Sequence, residues 1–434
     1  MGKTKKNGLS EKQLALVLIF PALLAIAAVA FYPVVKTFWL SMFDLQLNNP
    51  NKSTLNLSNK LNVELYSKNN EYMEDALVEI SNKTKNEKIK TVINKELEDY
   101  KYIENYLFEK TDIGTKIKEV EKLLYDYKTV PENLKYVGID ERDMKSALFK
   151  TGKMRENLMK YKSETGISTE VVTAIQLLDE LEDTMIAPNF VGFNNYKGYF
   201  KEVRMYKAIW NTMVFTFSSV AVELLLGLII ALIINKPFKG RGLFRAAVLI
   251  PWAIPTAISA MMWKFMYDGQ TGILAALFAK LHIIKDSGAL LTTSGGAMFG
   301  VVFSDVWKTT PYMALLLFAG LQQISISLYE AADVDGASPW QQFQYITLPL
   351  LKPAILVALL FRTLDAFRVF DLVYILTGGG PANGTETISI YAYKTMFSQM
   401  QFGKGSALSF IVFVCIAGIS ILYMKILGAD VMKD

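Results

Sequence analysis

Residues 330–353 read EAADVDGASPWQQFQYITLPLLKP, a polar segment between two long apolar runs. We call residues 323–352, which contain this segment, the elbow. The chain as a whole is 52% hydrophobic, so a polar and glycine-broken segment of this length is out of keeping with its surroundings. Apolar runs of about 20 residues are typical of membrane spans. We therefore expect the elbow to lie outside the membrane and to be recognised by another protein.

The residues of the elbow predict two short helices joined by a tight turn. Alanine is the best helix former, so Glu330 to Val334 is expected to be helical. Gly336 permits the left-handed backbone that other residues resist. Ser338 and Pro339 match a helix N-cap followed by proline at the first helical position.

The second elbow helix carries an apolar edge. Trp340, Phe343 and Ile346 recur every three residues, which places them on one side of a helix. Pro349 and Pro353 are expected to end this helix. The result is an exposed apolar and acidic face of the kind that docks into a groove on a partner.

Charge is unevenly distributed along the 434 residues. Residues 51–190 hold 22 Lys and Arg and 26 Asp and Glu, a net charge of −4, whereas the whole chain carries +5. The remaining residues therefore carry +9, and their basic side chains flank apolar runs. This pattern indicates membrane topology, and we expect no nucleic-acid partner.

Six apolar runs are long enough to cross a bilayer. They cover approximately residues 14–38, 208–234, 243–266, 297–321, 353–376 and 407–427. The predicted fold is an all-α membrane protein with six transmembrane helices and a helical extracytoplasmic insert between helices 1 and 2. The predicted domains are a cytoplasmic tail (1–13), the first transmembrane helix (14–43), the insert (44–189) and a core with helices 2–6 (190–434).

Lysine and arginine in short segments predict the orientation. Four lysines precede the first run, and the loop between the second and third runs carries Lys236, Lys239 and Arg241. Both segments are expected in the cytoplasm. Six spans then place both termini and the elbow on the cytoplasmic side of the membrane and the insert on the outer side. The first run is too long for a signal peptide and is expected to be retained.

The insert shows helical periodicity. Its apolar residues recur at three and four positions in two successive series, Ile89, Val92, Ile93, Leu97, Tyr100, Ile103 and Leu107, then Ile113, Ile117, Val120, Leu123, Leu124 and Tyr127. Four to six amphipathic helices are expected to bury a modest core. A charged helical spacer without a partner is the alternative interpretation.

Several chemistries are excluded by the sequence. The chain has one cysteine, Cys415, and one histidine, His282, which excludes a disulfide and a Cys/His metal site within it. No Walker A pattern occurs, since the Gly-rich segment at residues 378–381 lacks the lysine. We predict no catalytic residue, metal or cofactor in this chain; if transport is ATP-driven, ATP and Mg²⁺ must be bound by a separate ATPase subunit.

The fifth apolar run carries four charges, Arg362, Asp365, Arg368 and Asp371. Charged residues inside a bilayer are functional candidates. Neighbouring charges are three residues apart, so opposite charges meet across one helical turn. Nine helical residues turn about 900°, so Arg362 and Asp371 are expected to face opposite sides. The deeper pair is expected to face a polar cavity, or alternatively to form a structural ion pair.

The elbow resembles the EAA loop of permease subunits of ABC importers. That motif reads E-A-A, three residues, G, nine residues and I-x-L-P. The resemblance extends to residues 11–44 and 190–430 and is strongest to maltose and oligosaccharide permeases with a large outer insert. The predicted contacts with the ATPase subunit are Glu330, Ala331, Ala332, Asp335, Gly336, Trp340, Ile346, Leu348 and Pro349.

The resemblance implies a type I importer for a sugar or oligosaccharide. Its expected partners are an ABC ATPase dimer, a second permease subunit, an extracytoplasmic sugar-binding protein and the lipid bilayer. By position in the family, the substrate path is expected near Thr309, Tyr312, Arg362, Asp365, Ala366 and Val369. A polyol or glycerol-phosphate importer is one alternative. A membrane-anchored scaffold or receptor that acts through its outer helical domain is another.

Overall fold

The computed structural model describes residues 11–109, 111–162 and 168–431. In chain order its helices are α1 (Glu11–Ile26), α2 (Tyr32–Leu40), α3 (Val63–Lys83), α4 (Glu87–Glu109), α5 (Thr111–Tyr125), α6 (Glu132–Lys135), α7 (Glu141–Lys162), α8 (Ser168–Asp183), α9 (Asn194–Tyr199), α10 (Val203–Asn235), α11 (Arg241–Ala253), α12 (Thr256–Met266), α13 (Ile273–Lys280), α14 (Ala289–Thr292), α15 (Ser294–Leu321), α16 (Ile326–Val334), α17 (Pro339–Gln342), α18 (Leu348–Phe367), α19 (Asp371–Leu376), α20 (Ile388–Tyr393) and α21 (Phe402–Val431). Short strands are β1 (Lys60–Asn62), β2 (Tyr136–Gly138) and β3 (Met185–Ile186), and π turns occupy Ala27–Phe31, Phe343–Thr347 and Lys394–Ser398. The predicted all-α membrane fold is confirmed.

Contacts divide the chain into two units. The membrane unit contains the chain up to Phe43 and from Gly192 onward, and the insert unit spans Asp44–Val191. Apolar helices are confined to the membrane unit, whereas the helices of the insert unit are amphipathic.

Within the described residues, four helical segments are long and apolar enough to cross a membrane, namely Ala15–Leu40, Val203–Asn235, Pro339–Phe367 and Phe402–Ile426. Two bent pairs raise the number to six if each pair forms one span. These pairs are α11 with α12, bent by 87°, and α15 with α16, bent by 70°. The first, second, fourth and sixth predicted runs each lie within one helical segment, and the third spans α11 and α12. The fifth run, predicted as 353–376, does not form one helix, because α18 ends at Phe367 and α19 begins at Asp371.

The third predicted run is not one straight helix. It breaks between Ala253 and Thr256, where Ile254 and Pro255 both adopt extended backbone. A proline disfavours helical backbone in the residue before it and cannot donate its own N–H. The break at Pro255 therefore produces the 87° bend and leaves the carbonyl of Ile254 outside the helical ladder.

The prediction that Pro349 and Pro353 end the second elbow helix is wrong. One helical segment runs from Pro339 through Phe367. Pro349 lies inside this segment directly after the π turn Phe343–Thr347, where the regular helical hydrogen-bond ladder is already interrupted. Pro353 lies further inside α18, and neighbouring groups satisfy such freed carbonyls in membrane helices.

The centre of the membrane unit is formed by α10, α15 and α18. Small residues allow these helices to approach closely. A Cβ at Gly227 would lie 2.8 Å from Met313 Cγ, and one at Gly320 would lie 2.4 Å from Ala354 Cβ. These close approaches bring α10 against α15 and α15 against α18.

The insert unit is a bundle of helices with its own core. Buried apolar side chains from α3, α4, α5, α7, α8 and strand β1 form one cluster, which includes Leu61, Met73, Leu77, Ile80, Ile89, Ile93, Leu107, Ile117, Val120, Leu158, Ala174 and Leu178. Both predicted apolar series contribute to it, so the periodicity identified the buried face. Tyr127 is an exception, because α5 ends at Tyr125 and the Tyr127 side chain is 99% exposed.

The insert unit also contains a small antiparallel sheet that was not expected from the sequence. The strand order is β2-β1-β3, with Leu61 opposite Val137 on one side and Met185 on the other. The strands are two or three residues long, which is too short for a period of two to be recognised.

Candidate functional site

The turn of the elbow has the predicted backbone geometry. Helix α16 ends at Val334, and Gly336 follows with a left-handed φ of +76°. The N–H of Ala337 donates to the carbonyl of Ala332 at 2.9 Å, and the N–H of Gly336 donates to Asp333 at 3.1 Å. These bonds satisfy carbonyls at the helix end, as in other glycine-terminated helices.

Ser338 begins the next helix by a capping box. Its hydroxyl accepts a hydrogen bond from the N–H of Gln341, whose side-chain oxygen accepts from the N–H of Ser338 at 2.8 Å. The reciprocal pair satisfies two N–H groups at the start of α17. The turn direction between α16 and α17 is therefore fixed at both of its ends.

The elbow presents an exposed face. Trp340 is 68% exposed and stacks on Phe343 with ring centroids 5.5 Å apart, and Val334 is 88% exposed. Of the predicted contact residues, Glu330, Ala331, Asp335, Gly336, Leu348 and Pro349 are also exposed, whereas Ala332 and Ile346 are half-buried. Large apolar side chains exposed beside carboxylates are typical of a protein contact surface.

Two polar contacts hold the halves of the elbow together. The Gln342 amide donates to the Asp333 carboxylate at 2.5 Å, and the hydroxyls of Tyr329 and Thr347 lie 2.9 Å apart. The helices on both sides of the turn are therefore connected to the start of α18.

A buried charge cluster lies where α10, α15 and α18 meet. Arg362 is 1% exposed, and its Nε donates to Glu223 Oε2 at 2.5 Å while its Nη2 donates to Glu223 Oε1 at 3.0 Å. Arg362 Nη2 also donates to Asp305 Oδ2. Both acids are buried, so the guanidinium joins two carboxylates from two other helices.

Further contacts complete the cluster. Thr309 donates to Glu223 Oε1 at 2.6 Å. Lys308 is buried, and its ammonium donates to the carbonyl of Ile254 at 2.5 Å, in the break between α11 and α12. The Lys308 ammonium of α15 thus connects α15 to the break between α11 and α12 through the carbonyl of Ile254.

A cavity of 530 Å³ opens beside the cluster. Its lining residues come from the α11–α12 break, from α15 and from the end of α18, and are Trp252, Ala253, Ile254, Pro255, Thr256, Asp305, Lys308, Thr309, Arg362, Asp365, Arg368, Val369, Phe370, Asp371 and Leu372. Asp365 stands at the more open side, 3.4 Å from Arg362 Nη1 and 3.3 Å from Arg368 Nη2.

The cavity contains four of the six residues expected on the substrate path, namely Thr309, Arg362, Asp365 and Val369. Ala366 is buried in the helix core instead. Tyr312 does not line the cavity, but its ring stacks at 5.8 Å on Trp252, which does.

Two expectations about the charges of the fifth run need correction. Arg362 pairs mainly with Glu223 and Asp305 and only at longer distance with Asp365. Arg362 and Asp371 also do not face opposite sides, since both line the cavity. The helix ends at Phe367 and the chain changes direction before α19, so the 100° per residue of a continuous helix does not apply.

The lining of the cavity suits a ligand with many hydroxyl groups. Three cationic and three anionic side chains line it, Lys308, Arg362, Arg368, Asp305, Asp365 and Asp371, beside the flat rings of Trp252 and Phe370. Carboxylates accept and guanidinium groups donate strong hydrogen bonds. Among the described residues, no group of three or more His, Cys, Asp or Glu is arranged to hold a metal.

The comparisons with known proteins all identify membrane components of transport systems. Residues 223–429 match the family model described as the binding-protein-dependent transport system inner membrane component. The trehalose/maltose transport system permease protein MalF of Thermococcus litoralis is 47% identical over 237 residues, which cover 55% of this chain and 79% of that protein. The trehalose transport system permease protein SugA of Mycobacterium tuberculosis is 41% identical over 250 residues, covering 57% of this chain and 79% of that protein.

One further relative and one solved structure are also similar to this chain. The sulfoquinovosyl glycerol transport system permease protein SmoG of Agrobacterium fabrum is 38% identical over 239 residues, covering 55% of this chain and 77% of that protein. A chain in the crystal structure of a bacterial ABC transporter that imports the acidic polysaccharide alginate superposes with a TM-score of 0.51 at 22% identity. It covers 66% of this chain and 98% of that chain, and supports the fold alone.

Proposed function

Because the chain belongs to the family of binding-protein-dependent transport system inner membrane components, we propose that it forms the translocation path for a sugar in an ATP-driven importer. It is a multi-pass, non-enzymatic transport subunit. The observation that carries the proposal is the single helical segment Pro339–Phe367. This segment joins an exposed elbow at one end to the charged cavity near the other.

The elbow is the proposed contact with an ATP-hydrolysing partner. Its exposed residues, among them Trp340 and Val334, offer a face for a groove on that partner, while Gly336 and Ser338 fix its shape. The sequence contains no Walker A pattern, so ATP and Mg²⁺ are assigned to the partner. Each ATPase subunit of a dimer would receive one elbow, which requires a second permease subunit.

The cavity beside Arg362 is the proposed sugar path. Three positive and three negative side chains line it, and buried Glu223 lies behind Arg362. The total charge is therefore not positive, which is unfavourable for a phosphorylated cargo and compatible with a neutral sugar. Trehalose and maltose, which the names of two relatives specify, have the required chemistry.

Charge near the spans supports the proposed orientation. The basic loop at residues 236–241 and the elbow lie at the same end of their helices, which we assign to the cytoplasm. The insert unit then lies outside, where a sugar-binding protein delivers its ligand. The domain bounds 1–13, 14–43, 44–189 and 190–434 are retained in this proposal.

The experiment begins with the binding protein encoded with this permease. Thermal-shift measurements against mono-, di- and trisaccharides, polyols and glycerol phosphate identify its ligand. A shift by a neutral di- or oligosaccharide supports the proposal. A shift by glycerol phosphate alone would assign the alternative cargo. Normal sugar uptake by cells that lack this chain, with the binding protein present, would favour a scaffold or receptor role.

A further inference from the structure

Four basic residues cluster where α10 ends and α11 begins. Lys236, Lys239, Arg241 and Arg245 occupy ten positions, and no Asp or Glu occurs between Glu223 and Asp268. Within the described ranges, none of the four forms an ion pair with a carboxylate. We call these residues the basic cluster.

The two arginines pack against the end of α15. The guanidinium carbon of Arg245 lies 4.5 Å from the centre of the Phe318 ring, and that of Arg241 lies 5.7 Å from the same ring. Phe318 is three residues before the end of α15 at Leu321, and the elbow begins at residue 323. The basic cluster therefore lies at the same end of the spans as the elbow.

The hydrogen-bonding capacity of these arginines is unused. Nε of Arg241 and Nε and Nη2 of Arg245 are buried and have no hydrogen-bond partner among the described residues. An unsatisfied buried donor costs about 1–3 kcal/mol. Both residues are only half-buried, so part of each side chain stays accessible to an incoming acceptor.

Apolar side chains surround the basic cluster. Leu243 is 79% exposed, and Phe238 and Phe244 are exposed and contact each other edge to face at 5.8 Å. A site that combines unpaired cations at the end of membrane spans with an adjacent exposed apolar face matches both parts of a lipid, the anionic headgroup and the acyl chain.

We propose that the basic cluster binds the phosphodiester of an anionic phospholipid of the cytoplasmic leaflet. Arg241 and Arg245 donate hydrogen bonds to the phosphate oxygens, and Phe318 holds the two guanidinium groups in place from behind. Lys236 and Lys239 add attraction at longer range. Positive charge that serves topology alone does not require guanidinium groups packed on an aromatic ring with unsatisfied donors. The bound lipid would brace α11 against α15 beside the elbow, independently of the transported sugar.

The test measures lipid binding to the complete purified importer. The complex is titrated with phosphatidylglycerol or phosphatidylcholine, and bound lipids are counted by native mass spectrometry. We expect tighter binding of phosphatidylglycerol, and an affinity about fivefold lower in Arg245→Gln and in Arg241→Gln. Arg142→Gln, which removes an exposed arginine of the insert unit, is the matched control and is expected to bind like the wild type.

Other arms distinguish the source of the phosphate. Inorganic phosphate and glycerol phosphate lack acyl chains and are expected not to compete. Competition by either one would assign a soluble anion and overturn the lipid proposal. Equal binding of the two lipids, or an unchanged preference in both arginine variants, would also overturn it. Loss of the ATPase subunit without a change in lipid preference would assign the cluster to that partner instead.

Arg245→Lys separates the lipid contact from a purely structural role. It retains the charge but loses the planar donor fork, so we expect an intermediate affinity for phosphatidylglycerol. If Arg245→Gln does not assemble, the lipid preferences of the wild type, Arg241→Gln and Arg245→Lys decide the question.

Discussion

Arg362 holds together acidic side chains that come from two other helices. Removing it leaves Glu223 and Asp305 buried without their cation, which typically costs about 3–5 kcal/mol. We therefore expect Arg362→Met to lower the thermal unfolding temperature of the purified chain substantially. Fluorescence-detected unfolding in detergent measures this effect.

The matched control for Arg362 removes the charges together. In the triple variant Arg362→Met, Glu223→Gln and Asp305→Asn the two acids no longer carry the charges that Arg362 neutralises, so we expect most of the lost stability to return. A single variant as stable as the wild type would contradict the account of the cluster. Normal uptake by the assembled triple variant would remove Arg362 from the proposed substrate path and leave it a structural role.

The buried carboxyl group of Glu96 makes the free energy of unfolding of the insert unit depend on pH. Burial raises its pKa above the ordinary 4.5, although Asn157 donates a hydrogen bond to its Oε1 at 2.7 Å. The folded state binds this proton more tightly than the unfolded state. Glu96 therefore lowers the free energy of unfolding increasingly as pH rises from 4.5 through the raised pKa.

Glu96→Gln keeps the acceptor for Asn157 and removes the charge. We expect slower hydrogen exchange of the α4 amides in the full-length variant at neutral pH, and no difference from the wild type below pH 4.5. Glu98→Gln changes an exposed residue of the same helix and is the control. Faster exchange in Glu96→Gln at neutral pH would contradict the assigned cause of the pKa shift.

The elbow and the charge cluster belong to one continuous element. Trp340 and Arg362 are 22 residues apart in a single helical segment, a distance of about 33 Å along its axis. In the proposed importer, we therefore expect a displacement of the elbow by a partner to be transmitted to the wall of the cavity. This connection depends on Pro349 and Pro353 being accommodated within the segment.

Substitutions at Gly336 test the backbone geometry of the elbow most directly. An added Cβ would meet no atom within 4 Å, so a substitution there acts through φ alone. A left-handed backbone costs most residues about 1–2 kcal/mol, and asparagine less. We expect Gly336→Val to reduce binding of the ATPase subunit about tenfold in co-purification, and Gly336→Asn to retain it.

Equal retention in the valine and asparagine variants would contradict the assigned role of the turn. Loss in both variants would mean that the partner contacts the glycine surface itself. Expression and unfolding temperature of each variant provide the control for folding.

Local rules predicted local structure well. The left-handed Gly336, the Ser338 cap and the buried face of α4 each depend on residues within a few positions of one another. The bend at Pro255 was missed although the proline is evident, because its angle depends on how α11 and α12 pack on α15. The three strands of the insert unit are too short to leave a pattern.

Long-range pairing could not be obtained from the sequence. Arg362 lies three residues from Asp365 but binds Glu223, which is 139 residues away. The three-residue spacing along the helix identified Asp365 as a possible partner of Arg362. The close packing of the helices at Gly227 and Gly320 determines the actual partner, Glu223. Arg368 and Asp371 line the cavity because α18 ends at Phe367 and the chain then changes direction. No helix-capping residue in the sequence indicated that the helix ends there.

At the scale of the whole molecule, one helical segment joins the proposed contact with the ATPase subunit to the proposed sugar path. ATP-dependent uptake tests this most directly. Proteoliposomes contain the assembled importer, with the binding protein and its labelled sugar on the delivery side and ATP on the elbow side. We predict sugar accumulation that requires ATP and falls about tenfold in Gly336→Val, in parallel with its binding of the ATPase subunit. Accumulation without ATP, or ATP hydrolysis stimulated by the loaded binding protein without any sugar movement, would contradict the account.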